Sequence, residues 1–250
     1  MLLWHALLLG IVEGITEFLP ISSTAHLLLT QKLLGVPFTA DLASFDIAIQ
    51  MGAILAVIIS SGKRFIIEKR MIGLVALSFV PTALIGLLMH DIVTSVLFQN
   101  TSGMLIALVV GGLVMIIVER VLPPRTRERL TWKDALLVGI LQSIAMMPGV
   151  SRSGATIIGA MLLGITRREA VEFSFLIAIP TMMAATGLDL VKNPSILTSD
   201  PVPFAIGFVA AFVTALFVIK WLRTFISTHD FTAFGIYRIV VALGLFWIFA

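Results

Sequence analysis

Glu13 and Glu17 stand at i and i+4 in the run GIVEGITEF. This spacing puts both carboxylates on one helix face, about 5–6 Å apart. Acids inside an apolar segment are costly and are read first as functional. The pair suits a divalent cation with oxygen ligands, or a proton-sharing couple in which one acid stays protonated; the competing reading is a hydrogen bond to a neighbouring helix. Pro20 then breaks the helix, and Ser22, Ser23 and Thr24 lead into a short apolar helix with His26 in its first turn. Each hydroxyl is either a functional group or an N-cap. His26 has the chemistry of a general acid, base or nucleophile near neutral pH, with a structural hydrogen bond as its alternative.

The second group is PGVSRSGAT at 148–156. Pro148 and Gly149 end one short helix and permit a tight turn, leaving Ser151, Arg152 and Ser153 where the next helix presents its free N–H groups. A helix N-terminus attracts phosphate; an arginine adds a planar fork for its oxygens, and the hydroxyls of Ser151, Ser153 and Thr156 add donors. Arg152 reads as the only basic residue buried between apolar segments, and its alternative is a salt bridge to Glu13 or Glu17. Asp46 and Gln50, also at i and i+4, and Gln142 are further polar candidates for the mouth of a site. Met146, Met147, Met182 and Met183 read as packing, and the four tryptophans as interfacial residues.

The elements that must position these groups follow from composition. Of 250 residues, 59% are hydrophobic and 12% charged, and the mean hydropathy is +1.09, so the chain is an integral membrane protein without room for a separate soluble domain. With no cysteine, thiolate chemistry, disulfides and cysteine-ligated clusters are excluded. The N-terminus has no Lys or Arg before its apolar run and carries Glu13 within it, which reads as part of the mature fold and not as a secretory signal. Apolar runs lie near 2–18, 24–35, 45–62, 71–90, 103–119, 135–147, 153–165, 173–190, 203–222 and 236–250. Those at 24–35, 135–147 and 153–165 are too short to cross about 30 Å of hydrocarbon and predict re-entrant hairpins.

Lys63, Arg64, Lys69, Arg70, then Arg120, Arg125, Arg127, Arg129 and Lys133 crowd two connections, whereas 91–102 has no basic residue. With Arg167, Arg168, Lys220, Arg223 and Arg238 on the same side, fourteen of the seventeen basic residues lie inside. The high pI of about 9.6 is then a topology signal and not a nucleic-acid footprint. The connection 36–44, with Asp41 as its one charge, falls outside, and the pairs 1–35 and 135–165 enter from opposite faces.

The two pairs also align at an offset of 129, matching Gly10 with Gly139, Ile15 with Ile144 and Ser22 with Ser151, and facing Glu13 with Gln142. VPT at 80–82 and IPT at 179–181 give a different offset, 99, so one period does not fit every local match. The expectation is an all-α polytopic fold of about ten helical segments, an inverted repeat with halves near 1–120 and 121–250 in a single domain, and a site at the broken helices.

VEGITEFLPISSTAH at 12–26 and PGVSRSGAT at 148–156 together resemble the undecaprenyl-pyrophosphate phosphatases, the bacterial family also known for bacitracin resistance. The E-x-x-x-E, S-S-T-x-H and P-G-x-S-R-S-x-x-T elements are all present, and length and span pattern fit throughout. The resemblance implies removal of the terminal phosphate from a polyprenyl diphosphate, giving the monophosphate carrier of cell-wall synthesis. It further implies Mg²⁺ or Ca²⁺ dependence and action at the outer face of the bacterial cytoplasmic membrane. The acid-phosphatase-like lipid phosphatases are not matched, because Met71 follows the Lys63/Arg70 spacing and no PSGH occurs. On this reading Glu13, Glu17, Ser23, His26 and Arg152 are catalytic, with Glu13 and Glu17 holding the metal. Ser22, Thr24, Gln50, Gly149, Ser151, Arg152, Ser153 and Thr156 bind substrate. The nucleophile stays open between Ser23, His26 and a water, with preference for a hydroxyl or water assisted by His26. A polyprenyl-phosphate flippase is the alternative function; partners are lipids, and a homodimer is left open.

Overall fold

A chain in hydrocarbon must satisfy its backbone polar groups within each segment, and among the described residues this one does so with ten α-helices. They are α1 (Leu3–Thr16), α2 (Ser23–Leu33), α3 (Ala40–Ile67), α4 (Lys69–Ile92), α5 (Thr101–Val121), α6 (Trp132–Gln142), α7 (Arg152–Leu162), α8 (Arg167–Lys192), α9 (Pro201–Phe225) and α10 (Thr232–Phe249). The computed structural model describes residues 2–37, 39–92, 100–123, 125–192 and 201–249, apart from the side chains of 40, 41, 43, 44, 63–67, 90–92, 189, 190, 192, 248 and 249. The side chains of Asp41, Lys63 and Arg64, used above for orientation, lie outside this set.

Among the described residues five helices, α3, α4, α5, α8 and α9, are long and apolar enough to cross a membrane. Large apolar side chains face outward along them, Leu88 and Phe217 being 82% and 71% exposed, as a lipid-facing surface requires. The chain is an all-α, multi-pass membrane protein. The apolar run 2–18 has the length of a span, but its helix stops at Thr16; at 1.5 Å per residue α1 reaches about 21 Å. The 11-residue α2, α6 and α7 reach about 17 Å each. α1 packs on α2, and α6 on α7, as two helix pairs broken at residues 17–22 and 143–151.

The helix starts recur at one spacing. Leu3 and Trp132 open α1 and α6; Ser23 and Arg152 open α2 and α7, both of 11 residues; each pair is 129 apart. α1 packs along α9 as α6 packs along α4, and α3 meets α8 as α5 meets α10. Even individual contacts repeat: a side chain on Gly10 would run into the carbonyl of Gly207 and lie 2.9 Å from Ala210, and one on Gly139 would run into the carbonyl of Ser78 and lie 2.8 Å from Pro81. Small residues here let the helices touch backbone to backbone. VPT and IPT sit on α4 and α8, which do not correspond at this spacing, so their offset of 99 reflects a local likeness only.

The basic connections gather at one end of the bundle. Glu119 accepts from Arg167 at 2.8 and 2.6 Å, from Arg125 at 2.9 Å and from the Phe231 N–H at 3.2 Å. Arg223 donates to Glu172 at 2.6 and 3.0 Å and to Ser61 at 2.6 Å, joining α3, α8 and α9. Arg127 pairs with Asp134 at 2.6 Å and bonds the α7–α8 turn through Gly164 and Thr166. Arg238 is not there. It is 1% exposed deep between α5 and α10, so both its placement among the cytoplasmic charges and the reading of Arg152 as the one buried cation are corrected.

Candidate active site

Both breaks are made by backbone that a helix cannot continue. Pro20 lacks the N–H for the next helical bond, and Ser22 takes φ 74°, a left-handed conformation rare outside glycine. At the other break Gly149 takes φ 91°, and a side chain there would collide with the carbonyl of Met104. Each turn ends where the next helix begins, so Ser23 and Arg152 are both first residues of a helix.

The breaks are tied together by the hydroxyls of the second. Ser151 caps α7, accepting from the Gly154 N–H at 3.1 Å, and bonds Ser153 at 2.8 Å. Ser153 donates to the Leu19 carbonyl at 2.8 Å, so Ser151 supplies the proton of the bond between the two serines. Thr156, fully buried, donates to Ser174 on α8 at 2.6 Å. These three hydroxyls, expected from the sequence as phosphate donors, tie together the scaffold of the site. Gly149 likewise serves through its backbone.

Between the breaks lies a charged and hydroxylic cluster. Arg152 donates from Nη2 to Glu17 Oε1 at 2.7 Å and from Nη1 to the Ser174 carbonyl at 3.1 Å, and its guanidinium lies 5.7 Å over the Phe18 ring. Met182 touches Nη2 through sulfur at 3.2 Å. Arg152 Nε is buried without a hydrogen-bond partner among the described residues. Ser23 donates to the other oxygen of Glu17 at 2.5 Å. One carboxylate thus takes a serine hydroxyl on one oxygen and a guanidinium on the other, which links α1, α2 and α7 at a single point.

Glu13 sits one turn before Glu17, fully buried, and neither of its oxygens meets an N–H or hydroxyl donor among the described residues. A bare carboxylate at that depth needs a cation or a proton. No group of three or more His, Cys, Asp or Glu that could hold a metal occurs among the described residues. The donor set is therefore one or two carboxylates, the kind of partial ligand set that Mg²⁺ completes with water and substrate phosphate.

His26 faces away from Ser23. Its Nδ1 lies 2.7 Å from the Ser22 carbonyl, which can only accept, so Nδ1 carries the proton; Nε2 then accepts from the Tyr237 hydroxyl at 2.9 Å. The two rings stack at 7°, with centroids 5.6 Å apart. His26 braces the left-handed Ser22 turn, whereas Glu17 is the group in contact with the serine hydroxyl. Asp46 accepts from Gln31 Nε2 on both oxygens, at 2.8 and 2.9 Å. Gln142 donates to Thr82 at 2.8 Å, and Thr82 to the Gly139 carbonyl at 2.8 Å, so Gln142 works in the α4–α6 contact. Thr24 and Gln50 are half-buried near the first break and on α3. Sequence reasoning missed Gln31, Ser174, Tyr237 and Arg238. The adjacent Tyr and Arg at the head of the last apolar run were the available signal for two of them.

The sequence profile of the family described as Bacitracin resistance protein BacA matches residues 6–244. Among curated proteins, the undecaprenyl-diphosphatase of Aquifex aeolicus (strain VF5) is 43% identical over 245 residues, 96% of each chain. That of Sulfurihydrogenibium sp. (strain YO3AOP1) is 44% identical over the same shares. That of Aromatoleum aromaticum (strain DSM 19018 / LMG 30748 / EbN1) is 47% identical over 95% of this chain and 91% of its own.

Proposed function

Because this chain belongs to the Bacitracin resistance protein BacA family, we propose that it hydrolyses undecaprenyl diphosphate to undecaprenyl phosphate and inorganic phosphate. That reaction returns the lipid carrier to cell-wall synthesis and underlies bacitracin resistance. The observation that carries the reading at the level of chemistry is the Ser23–Glu17–Arg152 cluster at the meeting of two helix breaks. The relatives' names speak for a diphosphatase and give the flippase alternative no support.

Phosphoryl transfer asks mainly for positioning and charge neutralisation. Arg152, the first residue of α7, has the helix N-terminus behind it and an Nε without a partner among the described residues, so a diphosphate oxygen would replace Glu17 as its partner. Freed of Arg152, Glu17 keeps the Ser23 hydroxyl as its hydrogen-bond donor and is placed to take its proton. The Ser23 oxygen then attacks the terminal phosphorus, its proton passes to Glu17, and the bond to the bridging oxygen breaks to release prenyl phosphate. Glu17 gives that proton up to the departing phosphate; water then attacks the phosphoserine, its proton passing to Glu17 and on to the Ser23 oxygen as the P–O bond breaks and inorganic phosphate leaves. Glu13, with Glu17, would hold a divalent cation, Mg²⁺ or Ca²⁺, which when bound neutralises charge on the phosphate oxygens. The isoprenoid tail would stay in hydrocarbon, and the apolar groove of about 570 Å³ between α1 and α9, lined by Leu7, Ile11, Ile206, Val209 and Val213, suits it.

The positive connections would face the cytoplasm of the bacterial inner membrane. The first break would then open to the outer side, and the halves 1–120 and 121–250 would be inverted copies, a reading supported by the helix starts 129 residues apart. The test is phosphate release from farnesyl or undecaprenyl diphosphate by purified protein in detergent, with and without EDTA. Release that EDTA abolishes and Mg²⁺ or Ca²⁺ restores is expected. No release from folded protein under either ion overturns the proposal.

A further inference from the structure

Arg238 takes no part in the chemistry above, yet its surroundings are built for it. All three guanidinium nitrogens donate to backbone carbonyls: Nε to Leu108 at 3.2 Å, Nη2 to Ala107 at 3.1 Å and to Gly149 at 2.8 Å, and Nη1 to Pro20 at 3.1 Å. Pro20 and Gly149 are the residues that break the two short helix pairs, and they stand at the same place in each, 129 residues apart. A helix break leaves carbonyls without partners, and burial makes that costly. One planar fork of five N–H groups serves both breaks and α5 together.

The path to this position is also made for it. Gly111 on α5 lies against the guanidinium, and a side chain there would overlap Nη2 and come within 2.7 Å of Cζ; Gly112 backs onto Gly235 of α10. The residue before Arg238, Tyr237, donates to His26 on α2. α10 therefore reaches both the break of the first helix pair and the histidine that braces it.

We propose that Arg238 is a positioning residue that locks the two helix breaks in register, so that Ser23 and Glu17 from one meet Arg152 from the other. It acts through the carbonyls of Pro20 and Gly149, not by touching substrate. The inference deepens the diphosphatase reading and rests on it for its kinetic consequence.

The test uses full-length protein in detergent, as Arg238→Gln, Arg238→Lys, Gly111→Ala and the Gly111→Ala/Arg238→Gln double variant. Phosphate release from farnesyl diphosphate, thermal stability and hydrogen exchange of segments 17–22 and 147–151 are measured. Arg238→Gln is expected to lower kcat on the order of 100-fold, as a misplacement of about 1 Å does, with KM changing far less. Arg238→Lys keeps the charge and is expected not to rescue. Gly111→Ala displaces the guanidinium without changing it, so it lowers kcat alone but adds nothing to Arg238→Gln. Exchange rises at both breaks together. Wild-type kcat in Arg238→Gln, a change confined to KM, additive effects of the two substitutions, or unchanged exchange would each overturn the proposal. If Arg238→Gln does not fold, Gly111→Ala decides. If the wild-type protein releases no phosphate, the diphosphatase reading fails, while the exchange data still decide whether Arg238 locks the breaks.

Discussion

Replacing Glu17 by Gln removes the proton acceptor of the cluster, and saturating cation in the assay offsets the loss of its carboxylate from the proposed metal pair. The amide keeps an oxygen for the Ser23 hydroxyl and nearly the same volume, but it is no base. Glu13, one turn away, remains to balance Arg152, so the cost in stability stays near 1–2 kcal/mol, below the roughly 3–5 kcal/mol of a buried pair broken outright. In a chain of this size that is a fall in Tm of about 2–4 °C per kcal/mol. The catalytic loss is larger. A positioned base contributes about 10²–10⁴ in rate, which is about 3–5 kcal/mol of barrier at 1.36 kcal/mol per factor of ten. The assay is steady-state phosphate release from farnesyl diphosphate with saturating Mg²⁺ or Ca²⁺, beside Ser23→Ala and the double variant. Because Ser23 and Glu17 act as one unit, the double variant is expected to be no slower than the worse single one. A folded Glu17→Gln that keeps a tenth of wild-type kcat refutes the assignment of Glu17 as base. Ser23→Ala activity near wild type would make water the nucleophile.

Arg152→Ala is expected to abolish phosphate release and Arg152→Lys to leave a small residue of activity, since a point charge cannot grip two oxygens at once; equal activity of the Lys variant would count against a phosphate-holding fork. Gly139→Ala pushes α6 off the Ser78 carbonyl and is expected to cost about 1–3 kcal/mol, read as a lowered Tm; an unchanged Tm would show that the close approach carries no weight. At the first turn of α6, burial raises the Asp134 pKa, but the Arg127 guanidinium with the Thr131 N–H and hydroxyl outweighs it and holds the carboxyl below its ordinary range. A depressed folded value stabilises above the unfolded pKa, so this contribution is present at neutral pH and lost as pH falls below about 4. Asp134→Asn is expected to lower Tm at pH 7 by a few degrees and to flatten the acid-side loss; a parallel shift at every pH would refute the ionic account.

Helix placement was readable because apolar runs in hydrocarbon have few alternatives to helix. Both 1–35 and 135–165 were expected as re-entrant pairs, the second from its short runs and the basic residues at both its ends; the early stop of α1 at Thr16 was not readable, because the break at 17–22 is itself apolar and lengthens the run to 18. Glu13, Glu17, Ser23 and Arg152 were legible through type and local spacing. What was not legible was direction. Nothing in S-S-T-x-H says that Ser23 turns to Glu17 and His26 to Tyr237, 211 residues away. Arg238 escaped for another reason: charge patterning looks for a carboxylate partner or a membrane face, and this guanidinium is solvated by carbonyls that every residue owns.

The recurrence of the helix starts puts Ser23 and Arg152 at one and the same address in two copies of a single fold element. Likewise Glu13 shares its address with Gln142, and Glu17 with Met146. Two helix pairs whose starts match do not by themselves distinguish the Ser23 end from the Arg152 end. Serine at one address and arginine at its twin, with two acids whose twins are Gln142 and Met146, break the tie, so a handful of side chains gives the two ends their different chemistry.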